Sequence, residues 1–201
     1  MVFSSLFFLT VFLPATLLGC WGVRLLLELI SKRRVKAAGL VCDGEQCNPS
    51  WLPVNAFLFG VSLLFYFWGE GAGVLWLIAS VVVNHLLAVL IDRKHSNVAL
   101  CRFLIFVAIA ANLLFLSWFK YAGFGARIIN SFLGDLIPVP EIALPLGISF
   151  YTFQAMSYVI DVYRGTVRPS RSIIDFGCYV TMFPQLVAGP IVRYSDIAEK
   201  L

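Results

Sequence analysis

Long uncharged stretches of apolar residues alternate with short polar segments along almost the whole chain. Six apolar runs can be delimited, at residues 1–23, 51–69, 71–91, 103–119, 142–160 and 176–192. A run of about 20 apolar residues is long enough to cross the hydrocarbon core of a bilayer as a helix. The pattern therefore predicts an all-α protein, a polytopic transmembrane helical bundle with about six membrane segments.

The first run contains no charge, so it lacks the basic n-region of a cleavable signal peptide. It predicts a retained helix that ends between Arg24 and Ile30. The second and third runs, 51–69 and 71–91, are separated only by the region of Glu70. That short interval predicts a tight helical hairpin.

The last run, 176–192, differs from the others because it contains Pro184, Gly189 and Pro190. A proline inside a helix removes a backbone donor and obstructs the preceding turn. The run therefore predicts a broken or re-entrant segment, which is tolerated at membrane depth only within protein or beside a wet cavity. Residues 144–193 become the candidate functional region.

Composition supports a membrane protein and excludes an ordinary soluble domain. Apolar residues make up 60% of the 201 positions and charged residues 13%, whereas soluble domains carry about 25% charged residues. The five tryptophans near the ends of apolar runs suit the membrane–water boundary. With no internal repeat, residues 1–201 are interpreted as one domain.

The charges are concentrated in the segments between the runs, and they predict an orientation. Three basic patches contain Lys32, Arg33, Arg34 and Lys36; Arg93, Lys94 and Arg102; and Arg164, Arg168 and Arg171. If the runs alternate across the membrane, these patches share one side, while Glu70 and a mixed loop at 120–141 lie on the other. Because basic loops stay cytoplasmic, the N-terminus is predicted outside. The net charge of +4 is too dispersed to predict a nucleic-acid partner.

A polar stripe follows one face of the helix predicted for the fifth run. Helical spacing brings Gly147, Gln154, Ser157, Asp161 and Arg164 close to one face. Such a stripe must turn toward other helices or a cavity, because polar groups are costly in contact with hydrocarbon. It predicts either hydrogen bonds between helices or a lining for substrate.

Gln185 and Arg193 flank the predicted break in the last run. The planar fork of an arginine can bind phosphate or carboxylate, but a boundary arginine can also extend to the lipid headgroups. His85 is a candidate base or a packed histidine within the bundle, and His95 is interpreted as a solvated loop residue. None of these residues alone decides the chemistry.

The cysteines do not predict a metal site. Cys42 and Cys47 form a C-x4-C pair beside Asp43 and Glu45, but a structural zinc site needs four ligands and no second pair is present in the sequence. Three other cysteines in or beside apolar runs are predicted to pack as small hydrophobes; they are Cys20, Cys101 and Cys178. No metal and no cofactor are predicted.

Motifs of soluble enzymes are missing from the sequence: it has no G-x-S-x-G elbow, no P-loop and no H-E-x-x-H helix. The residues alone are compatible with a transporter, a channel or a membrane enzyme.

Longer stretches resemble a known family. They read M-V-F-S-S at 1–5, L-P-L-G-I-S-F-Y-T-F-Q at 144–154, S-Y-V-I-D-V-Y-R-G at 157–165 and F-P-Q-L-V-A-G-P-I-V-R at 183–193, with W-F-K-Y at 118–121. Together they resemble the membrane-bound O-acyltransferase family, in particular its bacterial alginate O-acetyltransferase branch. The matching stretches are distributed in order over essentially the whole chain.

The resemblance implies a helical fold with a central channel in the bacterial cytoplasmic (inner) membrane. An acyl group from a cytoplasmic donor, with acetyl-CoA as the candidate, would move toward an exported polysaccharide such as alginate, together with partners of the export assembly. A buried channel suits this chemistry because it positions the reactants and excludes water. By motif match, the substrate-binding candidates are Gln154, Asp161, Arg164, Gln185 and Arg193.

The resemblance also implies that this chain is an N-terminal portion. The family's catalytic histidine lies in a later membrane segment, beyond Leu201, and neither His85 nor His95 falls in a matching motif. No catalytic residue is therefore assigned, and the chain alone is expected to be inactive. The alternatives are a non-enzymatic scaffold or passage in an export assembly, and a relative that transfers D-alanyl groups.

Overall fold

A computed structural model describes residues 8–38, 51–134, 138, 143–188 and 192–197. Within these ranges the regular structure is helical and contains no strand, which confirms the all-α prediction. After a π-helical turn at Phe8–Phe12, the helices are α1 (Leu13–Ala38), α2 (Leu52–Glu70), α3 (Val74–Arg93), α4 (Val98–Leu133), α5 (Ile148–Tyr163), α6 (Ile173–Thr181), α7 (Phe183–Ala188) and α8 (Tyr194–Ile197).

Three helical stretches are long and apolar enough to cross a membrane: Thr10–Ile30, Leu52–Arg93 and Val98–Phe132. The second of them contains both α2 and α3. The chain is therefore a membrane protein whose environment is the lipid bilayer. Six membrane segments remain a prediction, because α5 and α6 are short helices of 16 and 9 residues.

Successive helices run in opposite directions, as contacts at their two ends demonstrate. For α3 and α4, Trp76 packs on Phe119 at one end, and the thiol of Cys101 lies 3.6 Å from the carbonyl oxygen of Ile91 at the other. For α1 and α2, Phe8 packs on Phe65, while the guanidinium of Arg24 lies over the ring of Trp51. The predicted alternation is thus present in these helices.

The hairpin between α2 and α3 turns through a single 3-10 turn at Gly71–Gly73. Gly71 has a φ of +56°, a conformation that residues with a Cβ rarely adopt. At the same end of the bundle, the hydroxyl of Tyr66 donates to the carbonyl of Leu146 just before α5. The helix α5 therefore runs parallel to α3, so Arg93 and Arg164 lie at one end. The side of the membrane that this end faces remains a prediction.

Two predicted helix ends are wrong. The helix α1 continues past Ile30 to Ala38, and α4 continues past the predicted loop start at residue 120 to Leu133. Charge alone does not end a helix, because Lys, Arg and Glu are good helix formers. The helix α4 ends where Gly134 adopts a φ of +79°.

The short helix α6 forms the centre of the bundle. Its residues from Phe176 to Thr181 are all buried, and it packs against α2, α3 and α5. The contact with α2 is close because position 177 is glycine, where an added Cβ would lie 2.8 Å from the ring of Phe59. Many large side chains of α1 and α4 point outward instead, where a bilayer would cover them.

The last apolar run is interrupted, as predicted. The helix α6 ends at Thr181, and Met182 leaves the helical region with a ψ of 113°. A new short helix, α7, then begins at Phe183. Gly189 and Pro190 lie outside the described residues, and a re-entrant path for this run remains a prediction.

Candidate functional site

The polar stripe of α5 faces the interior and joins α5 to α6. Gln154 is 2% exposed, and its Nε2 donates to the backbone oxygen of Tyr179 at 2.9 Å. One turn further on, Ser157 Oγ donates to the Gln154 carbonyl at 2.9 Å. The stripe had two interpretations, and Gln154 fits the first of them, a hydrogen bond between helices.

Asp161 extends this stripe toward the basic end of the bundle. Its Oδ2 atom is buried and has no hydrogen-bond partner among the described residues. Arg164 is exposed, and the described side chains include no ion pair between it and Asp161. The carboxylate of Asp161 is therefore available to a donor group or a cation.

Tyr179 is a member of this site that sequence reasoning missed. Its hydroxyl donates to the carbonyl of Val192 at 2.8 Å, which ties α6 to the segment before α8. Its ring packs against Tyr194 with centroids 5.2 Å apart. In the sequence, a tyrosine inside an apolar run looks like a core residue, and only its hydroxyl indicated a polar role.

Among the described residues, Arg164 and Arg193 form no ion pair with Asp161. Gln185 is half-buried in α7, and Arg193 is exposed just before α8. The structure thus brings Gln154 and Asp161 together on one helix face and leaves Arg164 and Arg193 on the surface. Their exposure allows them to meet an anionic group at that surface.

The two long motifs meet in space. Gly147 immediately precedes α5 and has a φ of +70°. A Cβ added there would lie 2.7 Å from the backbone oxygen of Leu186 in α7. The start of the first motif is therefore packed directly against the broken segment that holds the second.

His85 belongs to a stack of rings in the core. It is 8% exposed and stacks on Phe176 with centroids 5.8 Å apart. Tyr158 stacks on the same phenylalanine at 4.2 Å. The packing interpretation accounts for this position, although Nδ1 of His85 has no partner among the described residues. His95 is exposed in the turn after α3.

A second polar contact, between α3 and α4, was also missed. Asn112 Nδ2 donates to Asn84 Oδ1 at 2.8 Å, and Asn84 Nδ2 donates back to Asn112 Oδ1 at 3.2 Å. Both amides also donate to backbone carbonyls one turn earlier. They lie beside a groove of about 210 Å³ between the two helices. Because each amide provides the other with a hydrogen-bond partner, the pair joins α3 to α4.

In the described part of the chain, no group of three or more potential metal ligands comes together. Cys101 and Cys178 are buried and Cys20 is half-buried, as expected for packing residues. The pair Cys42 and Cys47 lies outside the described residues.

These features define a helical membrane protein with a polar face and an interrupted helix at its core. No family model matches the chain, and no solved structure matches it either. Curated relatives do match. "Probable alginate O-acetylase AlgI" of Pseudomonas aeruginosa is 33% identical over 204 residues, which cover all of this chain and 34% of the relative. The protein of the same name from Azotobacter vinelandii is 36% identical over 73% of this chain and 30% of the relative.

A third relative has a different printed activity. The "Peptidoglycan O-acetyltransferase" of Helicobacter pylori is 29% identical over 68% of this chain and 30% of its own length. The chain thus spans about a third of the length of the curated relatives it matches. These similarities confirm the relationship that the motifs indicated: the chain is AlgI-like, a relative within the membrane-bound O-acyltransferases.

Proposed function

We propose that this chain forms the N-terminal part of a membrane O-acyltransferase that moves an acetyl group toward an exported polysaccharide such as alginate. The observation that carries the proposal is the match of the whole chain to proteins named alginate O-acetylase. In this proposal the remaining membrane segments, including the catalytic histidine, come from a later part of the protein.

The geometry supports a role in positioning reactants. The two long motifs pack against each other, because Gly147 contacts the Leu186 carbonyl. Gln154 of the first motif also donates a hydrogen bond to the Tyr179 carbonyl of α6. Acyl transfer depends on fixed placement of donor and acceptor and on exclusion of water, which would hydrolyse the activated acyl group. Tightly packed helices of this kind meet both requirements.

The roles proposed for individual residues follow from their placement. Gln154 acts as a brace, since its amide is already bonded to α6. Asp161, with its unpartnered oxygen, receives a hydrogen-bond donor of a substrate. Arg164 and Arg193, exposed in the structure, receive phosphate groups of a cytoplasmic donor such as acetyl-CoA. Gln185 contributes from α7, beside the break.

A chimera tests the proposal. The matching third of the Pseudomonas aeruginosa relative is replaced by this chain, and the hybrid is expressed in a strain that lacks its own alginate O-acetylase. We expect O-acetyl groups to return to the secreted alginate, measured by ester content per uronic acid. This chain expressed alone should restore none, because in this proposal the catalytic histidine lies in a later part of the protein.

The outcomes separate the alternatives. Acetylation by the isolated, purified chain would contradict the proposed division of the enzyme. A hybrid that reaches the membrane but leaves alginate unmodified would favour the scaffold interpretation. The Helicobacter pylori relative makes cell-wall glycan a second candidate acceptor. Ester analysis of peptidoglycan and teichoic acid from the same cells distinguishes that acceptor and D-alanyl transfer from alginate acetylation.

A further inference from the structure

The interruption between α6 and α7 deprives two backbone oxygen atoms of their helical donors. In an unbroken helix, the Val180 carbonyl would accept from residue 184 and the Thr181 carbonyl from Gln185. Residue 184 is a proline, which has no N–H, and Gln185 N donates to Met182 O at 3.0 Å instead. The end of a helix also carries a partial negative charge. The end of α6 is therefore rich in acceptor oxygen atoms.

Two buried hydroxyl groups lie at the same level of the bundle. Ser62 on α2 is 1% exposed and Thr181 on α6 is 0% exposed. Neither hydroxyl oxygen has a hydrogen-bond partner among the described residues. A buried hydroxyl without a partner is unfavourable by about 1–3 kcal/mol, so a pair of them at one point calls for an explanation.

The contacts between α2 and the α6–α7 segment place these two residues at one level of the bundle. Asn55 Nδ2 donates to Asp175 Oδ1 at 2.9 Å, and Phe59 packs over Gly177 one turn later. Beyond the break, Phe65 packs against Phe183. Because the helices run in parallel, Ser62 and Thr181 fall between the second and third of these contacts, on the faces that the helices share.

An aromatic cluster lies next to these oxygen atoms, around Phe183 at the start of α7. It consists of Phe8, Phe12, Phe65 and Phe183, whose ring centroids lie 5.3–5.8 Å apart. Phe8, Phe65 and Phe183 are each at most 5% exposed. The oxygen atoms beside the break are thus separated from solvent by packed rings.

We infer that the α6–α7 break is a binding site for a monovalent cation of the sodium class. Its ligands are the hydroxyl oxygens of Ser62 and Thr181 and the carbonyl oxygens at the end of α6. Neutral oxygen atoms at the C-terminal end of a broken membrane helix are a recognised setting for Na⁺. No carboxylate belongs to the set, which disfavours Ca²⁺ and Mg²⁺. A single water would compete for the same four groups, because the two hydroxyls can donate to it and it can donate to the two carbonyls; the comparison of salts below distinguishes water from Na⁺.

This inference is independent of the proposed acyl transfer, and its test needs no activity. The purified chain in detergent is unfolded by heat in NaCl, KCl and choline chloride at equal ionic strength. We expect the unfolding temperature to be at least ~3 °C higher in NaCl than in choline chloride, because a ligand of the folded state stabilises it by mass action.

Three isosteric or smaller replacements complete the test. Ser62→Ala and Thr181→Val should abolish the difference between the salts. Ser80→Ala is the control, since Ser80 lines the groove between α3 and α4 rather than the contact between α2 and α6; it should keep the difference. Circular dichroism in choline chloride checks that each variant is folded.

Two results would overturn the inference of a cation site. If wild-type protein unfolds at one temperature in all three salts, the inference is overturned. Ser62→Ala would then raise that temperature if the hydroxyls are merely unsatisfied, and lower it if a water fills the break. Equal stabilisation of all four proteins by Na⁺ would place cation binding elsewhere and overturn it as well.

Discussion

Gly147 and the carbonyl oxygen of Leu186 are in direct contact, and only a glycine permits this contact. A Cβ at position 147 would lie 2.7 Å from that oxygen, and the residue has a φ of +70°. Both facts disfavour any other residue, because L residues in the left-handed region are strained by about 1–2 kcal/mol and the backbone oxygen cannot move away freely. The entrance to α5 and the broken helix α7 are therefore fixed against each other.

Gly147→Ala should accordingly destabilise the protein by about 2 kcal/mol or more, as the sum of backbone strain and the steric clash. Thermal unfolding in detergent measures the effect. Gly60→Ala is the control, since Gly60 lies within α2 with nothing within 4 Å of an added Cβ; it should be neutral or stabilising by about 0.5–1 kcal/mol. Equal effects of the two replacements would contradict the contact.

Gln154→Leu removes the hydrogen bond to Tyr179 O at 2.9 Å while nearly keeping the volume. It should destabilise the protein by about 1–3 kcal/mol, because the carbonyl remains buried without this donor. The comparison is Ser157→Ala, whose hydroxyl donates to the carbonyl of Gln154 in its own helix, and we expect a smaller loss. An unchanged unfolding temperature for Gln154→Leu would show that α5 and α6 do not depend on the brace.

The sequence predicted the helical membrane fold because apolar runs of span length have few other interpretations. It also located the break, since Pro184 removes the donor that Val180 would need in a continuous helix. Helix ends were less well predicted. Residues after Ile30 are charged but favour helix, so the change from apolar to charged residues did not mark the end of α1.

The candidate site was predicted in part. Helical spacing placed Gln154 and Asp161 on one inward face, as observed. It could not identify Tyr179 or the Asn84–Asn112 pair, because each contact joins residues far apart in sequence and depends on which helices become neighbours. The pattern of one sequence indicates which face of a helix is buried, but it does not indicate which helix packs against that face.

The amide pair of Asn84 and Asn112 should couple α3 to α4. A double-mutant cycle with Asn84→Ala, Asn112→Ala and both together isolates the interaction. Hydrogen bonds between membrane helices average about 0.6 kcal/mol, with a maximum near 1.7, and the reciprocal geometry at 2.8 and 3.2 Å favours the upper part of this range. Strictly additive losses in unfolding free energy would show that the two amides act independently.

Phe183 should be the most sensitive aromatic residue of the broken segment. It is 4% exposed and touches the rings of Phe8, Phe12 and Phe65, so it joins the first helix of the chain to α2 and α7. Truncating a buried phenylalanine costs about 3–5 kcal/mol, and Phe183→Ala should lower the unfolding temperature accordingly. Phe103→Ala is the matched control on α4, where the ring is 62% exposed; in a detergent micelle its loss should be far smaller.

Limited proteolysis measures the effect at the first helix. Release of the cluster in Phe183→Ala should expose the π-helical turn at Phe8–Phe12 to cleavage before the rest of the bundle. If both variants unfold alike and α1 stays protected in each, the cluster does not anchor the first helix.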